Sequence, residues 1–327
     1  MGFRQQLEAD GLITLPDTTL ESLTGGVSSD IYRVNDGDRV FVVKRALPQL
    51  RVAAEWHADI RRNQHEVAYL NHVRRIAPEN VPTVLHHNET GGYFAMEHLG
   101  RSFRNWKTEL LAGRCDVSQA QIAGALLGRI HSETWDDPGL EAEFDTTANF
   151  HDLRLEPYLL ATGERHPELQ SALAAESNRI RKSRQCLVHG DYSPKNLMFE
   201  GNRLVVLDCE VAWFGDAAFD IGFLLNHLTI KALHLAAHRG ECLQMAEAAW
   251  QAYANEINRT EIERPLTRLL PMLMLARVDG KSPVEYLSEE ARESIRRFTT
   301  EAIQQPAENL IDLWSRWQLF LNAHANR

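Results

Sequence analysis

The feature that most constrains this 327-residue chain is an island of short strands inside a long helical stretch. Three apolar runs, QCLVHGD, NLMFE and RLVVLDCE, start at Gln185, Asn196 and Arg203. Each is short, rich in Val, Leu and Phe, and bounded by turn residues, which predicts strands. Glu200-Gly201-Asn202 lies between the last two and predicts a hairpin turn. A hairpin returns its two ends to one place. Asp191 and Asn196 before it and Asp208 after it are therefore expected to converge.

Around this island the chain reads as two halves, residues 1–100 and 101–327. The first carries strand signals in LESLTGG, DIYRVNDGDRVFVVKRA and GYFAMEHL, with Asn35-Asp36-Gly37-Asp38 as a turn. Between them a helical pattern runs from Ile60 to Arg75, with Val67, Leu70 and Val73 at spacings of three. Beyond Gly100 helical periodicity dominates. Ser118 with Gln121 predicts a capping box ahead of IAGALLGRIH. Ser282, Pro283 and Glu285 predict another ahead of VEYLSEEARESIRRF. The expectation is an α+β, two-lobed fold: a small antiparallel-sheet lobe, then a larger, mostly helical lobe.

Composition narrows the function classes. Hydrophobic residues at 44% are enough for a large core and exclude wholesale disorder. Thirty-five Lys+Arg against 45 Asp+Glu give a net charge of -10, the wrong sign for a broad nucleic-acid face. Cys115, Cys186, Cys209 and Cys242 form no CxxC pair and suit a reducing compartment. The start MGFRQQLEADG lacks the apolar core of a signal peptide, and no run of 18 apolar residues exists. A cytoplasmic protein with neither membrane nor nucleic acid as partner is expected.

The converging residues carry a chemistry. Two carboxylates and an amide oxygen are the hard donors Mg²⁺ prefers when it also holds nucleotide phosphates. A further carboxylate can orient a hydroxyl and accept its proton. The first half offers complementary parts. Gly25, Gly26, Ser28 and Ser29 lie in a Gly/Ser turn able to bring backbone N–H groups to phosphate oxygens. Lys44 ends the apolar strand Phe41-Val42-Val43, and Glu66 on the following helix is placed to pair with it. His189 reads as a core histidine. Arg277, Asp279 and Lys281 read either as a solvated helix end closed by Gly280 or as a group binding sugar or phosphate.

His189-Gly190-Asp191-Tyr192-Ser193-Pro194-Lys195-Asn196 resembles the HGDxxxxN motif of the aminoglycoside phosphotransferase/choline kinase family, a small-molecule branch of the protein-kinase-like fold. LDCEVAWFGDAAFDIG resembles that family's second signature, and the order of elements agrees over roughly residues 20–300. VVKRALPQLRVAAEW, RRNQHEVAYL and AWFGDAAFDIGFLLNHL further resemble methylthioribose kinases. The resemblance implies ATP and Mg²⁺ as cofactors and a small-molecule hydroxyl acceptor, with a sugar related to methylthioribose among the choices. It implies Asp191 as the catalytic carboxylate, Asn196 and Asp208 as metal ligands, and Lys44 on the ATP phosphates, paired with Glu66. Gly25 to Ser29 would cover the phosphates, and Met96, Glu97 and Leu99 would form the adenine-binding hinge. Asp220 would prop the catalytic loop. Glu210, Trp213 and Arg277 are candidates near the metal or the acceptor.

Three other readings stand beside this one. A regulatory nucleotide-binding module would bind ATP without catalysis. An antibiotic phosphotransferase would share every motif. A protein kinase would need a peptide platform, for which the seven residues between Asp208 and Asp216 leave little room.

Overall fold

The structure, a computed structural model, describes residues 2–23, 29–47 and 61–325. The chain divides into two compact units. The sheet unit comprises residues 1–103 with 205–210, and the helical unit residues 104–204 with 211–327.

Five antiparallel strands build the sheet unit: β1 (Thr19–Ser22), β2 (Ser29–Asp36), β3 (Arg39–Ala46), β4 (Val84–Asn88) and β5 (Tyr93–Glu97), in the order β1-β2-β3-β5-β4. The β-branched and aromatic residues of Val40–Val43 suit a pleated, buried surface, and β3 lies in the middle of the sheet. Alternation then divides its side chains. Phe41 and Val43 join Leu7, Leu12, Ile13, Val34 and Tyr93 in one core cluster. Lys44 falls on the opposite face, in register with Ile31 and Phe94. The expected helix spans Arg62–Ile76 and buries Glu66, Val67, Tyr69, Leu70 and Val73. Asp36 at the β2–β3 turn accepts hydrogen bonds from the Thr14 and Leu15 N–H groups and from two threonine hydroxyls, fixing the segment that precedes β1.

In the helical unit, β6 (Arg104–Asn105) pairs with β8 (Leu197–Glu200), and β7 (Cys186–Val188) pairs with β10 (Trp213–Gly215). The chain turns at Gly201-Asn202 into β9 (Arg203–Val206). The rest is helical, around a long apolar helix, Ala217–His234, that is buried from Ala217 to Ala232. Among the described residues no helix is long and apolar enough to cross a membrane.

Two predicted helix starts are corrected. The helix Val117–Glu133 is capped by Asp116, whose carboxylate accepts the Ser118 N–H at 2.9 Å, not by Ser118. The helix predicted from Val284 begins at Glu289, behind Ser288, whose hydroxyl accepts the Ala291 N–H at 3.2 Å. Ser282 and Val284 are instead held by Arg277, through its guanidinium and its carbonyl.

The helices Val117–Glu133 and Arg239–Ile257 pack closely enough that a Cβ on Gly124 would lie 2.0 Å from the Ala249 carbonyl oxygen. Alanine there gains about 1 kcal/mol of helix propensity. Overpacking against backbone typically costs about 1–3 kcal/mol and at this separation lies at or beyond the upper end. Gly124→Ala is therefore expected to lower the urea midpoint; an unchanged or raised midpoint contradicts this packing.

Candidate functional site

In the sheet unit the site is a buried cluster of charge. Lys44 Nζ donates to Glu66 Oε1 at 2.9 Å, to Glu66 Oε2 at 2.7 Å and to Asp208 Oδ1 at 2.5 Å. Arg62, fully buried at the start of its helix, donates from Nε to Glu210 Oε2 at 3.0 Å and from its guanidinium to the Leu47 carbonyl at 2.7 Å. Carboxylate oxygens of Glu66, Asp208 and Glu210 lie within 4.8 Å of one another. Burial works against the charge on Lys44, but Asp208, Glu66 and Glu210 outweigh it and hold the ammonium pKa well above its ordinary value. Burial pushes Glu66 up to about 7, against the pull of Lys44, with Asp208 and Glu210 adding to the rise. Lys44 is thus the fixed positive charge around which the three carboxylates compete.

Asp208 sits at φ 62°, in the left-handed region that a non-glycine residue rarely adopts. Such a conformation costs about 1–2 kcal/mol and persists where the surroundings over-determine it. Here the ion pair to Lys44 on β3 is one such restraint. Met96 is buried in β5 opposite Val42. Glu97 accepts the Thr83 N–H and hydroxyl at 3.2 and 3.1 Å, and Leu99 is half-buried beyond it. Ser29 opens β2 and is buried. Gly25, Gly26 and Ser28 lie outside the described residues.

In the helical unit the site is the turn after β7. Asp220 is fully buried, and its two oxygens accept the N–H groups of His189 at 2.6 Å and Gly190 at 2.9 Å. His189, also fully buried, accepts the Asp191 N–H on Nδ1 at 3.1 Å. Gly190 stands at φ 77°, and a Cβ there would lie 2.6 Å from the Val211 carbonyl oxygen, so only glycine fits. These contacts aim Asp191. Its Oδ2 meets Lys195 Nζ at 2.8 Å and the Arg154 guanidinium at 3.1 Å. Asn196 donates its amide N–H to the Asp191 carbonyl at 3.0 Å, leaving Oδ1 as the atom it can offer a cation.

Arg154 and Arg62 are the members that sequence reasoning missed. Arg154 lies in a wide π-type helical stretch, His151–Leu160, and also binds the Gly190 carbonyl. Nothing local in HDLRLEPYLL marks it, because its partners lie far along the chain. Lys195 was inside the motif. It reaches Asp191 from four residues along the chain.

The substrate candidates fall in three places. Glu210 belongs to the Lys44 cluster. Trp213 is fully buried and stacked on Phe150 at 4.2 Å, so its indole belongs to the core rather than to a surface that an acceptor reaches. Arg277 and Asp279 are buried, which corrects the reading of a solvated helix end. Asp279 is engaged by His166 at 2.8 Å and by Arg296 at 3.0 Å.

The donor set fits a hard divalent cation. In the sheet unit Glu66, Asp208 and Glu210 offer oxygen ligands of the kind Mg²⁺ takes, and among the described residues no sulfur or imidazole joins this carboxylate cluster.

Comparison with known proteins places the chain in a family. The sequence pattern of the phosphotransferase enzyme family (APH) matches residues 19–261. A methylthioribose kinase of Pectobacterium atrosepticum is 25% identical over 75% of this chain and 70% of its own length. One from Bacillus cereus is 25% identical over 70% of this chain, which spans 65% of that relative. Among solved structures, an amicoumacin kinase in complex with AMP-PNP and Ca²⁺ superposes over 94% of both chains with TM-score 0.54 and 18% identity. A microcompartment-associated aminopropanol kinase matches over 92% of this chain and 95% of its own, with TM-score 0.53 and 15% identity. At these identities the likeness is one of fold: a small antiparallel-sheet part and a larger helical part, the protein-kinase-like architecture.

Asp220→Asn tests the turn. The amide retains one acceptor, so one of the two N–H groups loses its partner, at about 1–3 kcal/mol. Urea denaturation is expected to show that loss; unchanged stability would remove Asp220 as the prop of the Asp191 turn.

Proposed function

Since the chain belongs to the phosphotransferase enzyme family, we propose that it is a small-molecule kinase, moving the γ-phosphoryl group of ATP to a hydroxyl of its acceptor. The observation that carries this reading is Lys44, held on the central strand by Glu66 and Asp208 with two short bonds to one carboxylate and one to the other. A lysine fixed in this way is a point charge for donor phosphates.

Each part then has a task. Lys44 fixes the donor, and Glu66 fixes Lys44. Met96, Glu97 and Leu99 receive the adenine, and the segment of Gly25, Gly26, Ser28 and Ser29 covers the phosphates. Asp208 of the sheet unit and Asn196 of the helical unit would each offer Mg²⁺ an oxygen ligand, and the ion would offset the negative charge of the phosphates. Asp191 accepts the hydrogen bond of the acceptor hydroxyl and takes its proton as the new O–P bond forms. Arg154 and Lys195 keep that carboxylate aimed. Little covalent help is needed in phosphoryl transfer, so positioning and electrostatics supply most of the rate. The methylthioribose kinase relatives support a hydroxyl-rich, sugar-like acceptor.

Asp191→Ala is expected to lower acceptor-stimulated ADP release by about 10²–10⁴-fold while Mg²⁺-ATP still binds. A coupled ADP assay beside a nucleotide titration reads both. Wild-type turnover in the variant would remove Asp191 from the mechanism. Nucleotide binding with no acceptor-dependent release for any hydroxyl compound would favour a regulatory module.

A further inference from the structure

Five lysine and arginine residues are buried among the described residues: Lys44, Arg62, Arg154, Lys231 and Arg277. The first three each meet a carboxylate. Lys231 and Arg277 meet none, and they are neighbours in the helical unit. Lys231 is fully buried; its Nζ donates to the His227 carbonyl at 3.2 Å and to the Tyr286 hydroxyl at 3.4 Å. Arg277 donates to the Tyr158 hydroxyl at 2.9 Å and to Ser282 Oγ at 3.3 Å, and its Nε has no partner among the described residues. His227, one turn before Lys231, is buried as well.

A buried cation without a counter-charge is strongly unfavourable, and two together repel. Burial, with Lys107 and Arg277 acting in the same direction, draws Lys231 down to about 7. A fold keeps such an arrangement where a ligand supplies the missing charge. Of the nearby carboxylates, Glu285 acts on both cations only from a distance, contacting neither. Glu285 is turned to Lys107, and Asp279 is engaged by His166 and Arg296.

The place is continuous with Asp191. The Arg154 guanidinium contacts Asp191 and lies 6.0 Å from the Tyr158 ring, and the Arg277 guanidinium lies 5.5 Å from the same ring. Phe223 bridges likewise, 5.9 Å from Arg154 and 5.6 Å from the His227 ring. An anion at Arg277 and Lys231 is therefore separated by two side chains, Tyr158 and Arg154, from the carboxylate that receives the hydroxyl.

We propose that Arg277 and Lys231, with His227 beside them, bind an anionic group of the acceptor, a carboxylate or a phosphate, while a hydroxyl of the same molecule faces Asp191. This rests on the kinase reading above and adds the acceptor's chemical class. The chain's net charge of -10 points the other way, but charge summed over a surface is not the charge of a site.

Calorimetric titration of the intact protein, with and without Mg²⁺-AMP-PNP, tests it with two matched pairs: glycerate against glycerol, and ribose 5-phosphate against ribose. The anionic member of at least one pair is expected to bind about tenfold or more tightly than its neutral partner. Arg277→Gln and Lys231→Met should each abolish that preference. Which pair discriminates tells carboxylate from phosphate. Equal binding within both pairs, or binding by none of the four, overturns the proposal. Melting of the ligand-free variants separates function from structure. Lys231→Met is expected to melt no lower than wild type, whereas a fall of several degrees with the anion preference intact would make Lys231 structural and overturn its role. Binding of AMP-PNP in the same titrations reports on the kinase reading by itself: anion preference without nucleotide binding would sink that reading alone.

Discussion

Burial of Lys44 among Glu66, Asp208 and Glu210 is the constraint from which the sheet unit's organisation follows. A lysine on the central strand of a sheet is unfavourable unless its ammonium is met by negative charge. Glu66 supplies that charge from the helix Arg62–Ile76. Asp208 supplies it from a stretch of chain that returns long after the rest of the unit is complete. The second carboxylate explains why residues 205–210 belong to the sheet unit. It also accompanies the left-handed backbone at Asp208. Arg62 provides a second buried cation for Glu210, so three carboxylates and two cations share one site.

The helical unit uses a different device for a similar end. Its reactive-looking carboxylate, Asp191, is set by backbone: Asp220 binds two successive N–H groups, His189 binds a third, and Gly190 passes too close to Val211 for any side chain. Arg154 and Lys195 then fix the carboxylate end. Beyond Arg154 the buried cations lose their carboxylate partners. That change in character, from paired to unpaired positive charge, distinguishes the Arg277 and Lys231 region from the rest of the interior.

Much of this was legible in the sequence. The strand islands, the helix after Lys44 and the spacing of Asp191, Asn196 and Asp208 follow from periodicity, turn residues and motif. Other parts were not. Arg62 and Arg154 act on partners remote in the chain, and no local pattern marks a buried arginine. Capping motifs misplaced two helix starts, because Asp116 takes the capping position and leaves Ser118 inside the first turn, and because Arg277 holds residues 282–284 outside the helix. Trp213 follows the acidic signature closely, yet pairing of β10 with β7 carries it into the core. The positive character around Lys231 was masked by a net charge of the opposite sign, since the surplus of acidic residues is spread over the whole chain.

Under the proposed function Lys44 is kept buried and charged to hold donor phosphates. Titration of Mg²⁺-ATP onto the wild-type protein and onto the Lys44→Met, Glu66→Gln double variant tests it most directly. The second substitution removes the carboxylate that the first would leave without its main partner, so folding is protected. Saturable binding to the wild type and a loss of about tenfold or more in the variant are expected. Equal affinity in the two proteins would contradict this, and would show that the buried cluster serves the fold and not the nucleotide.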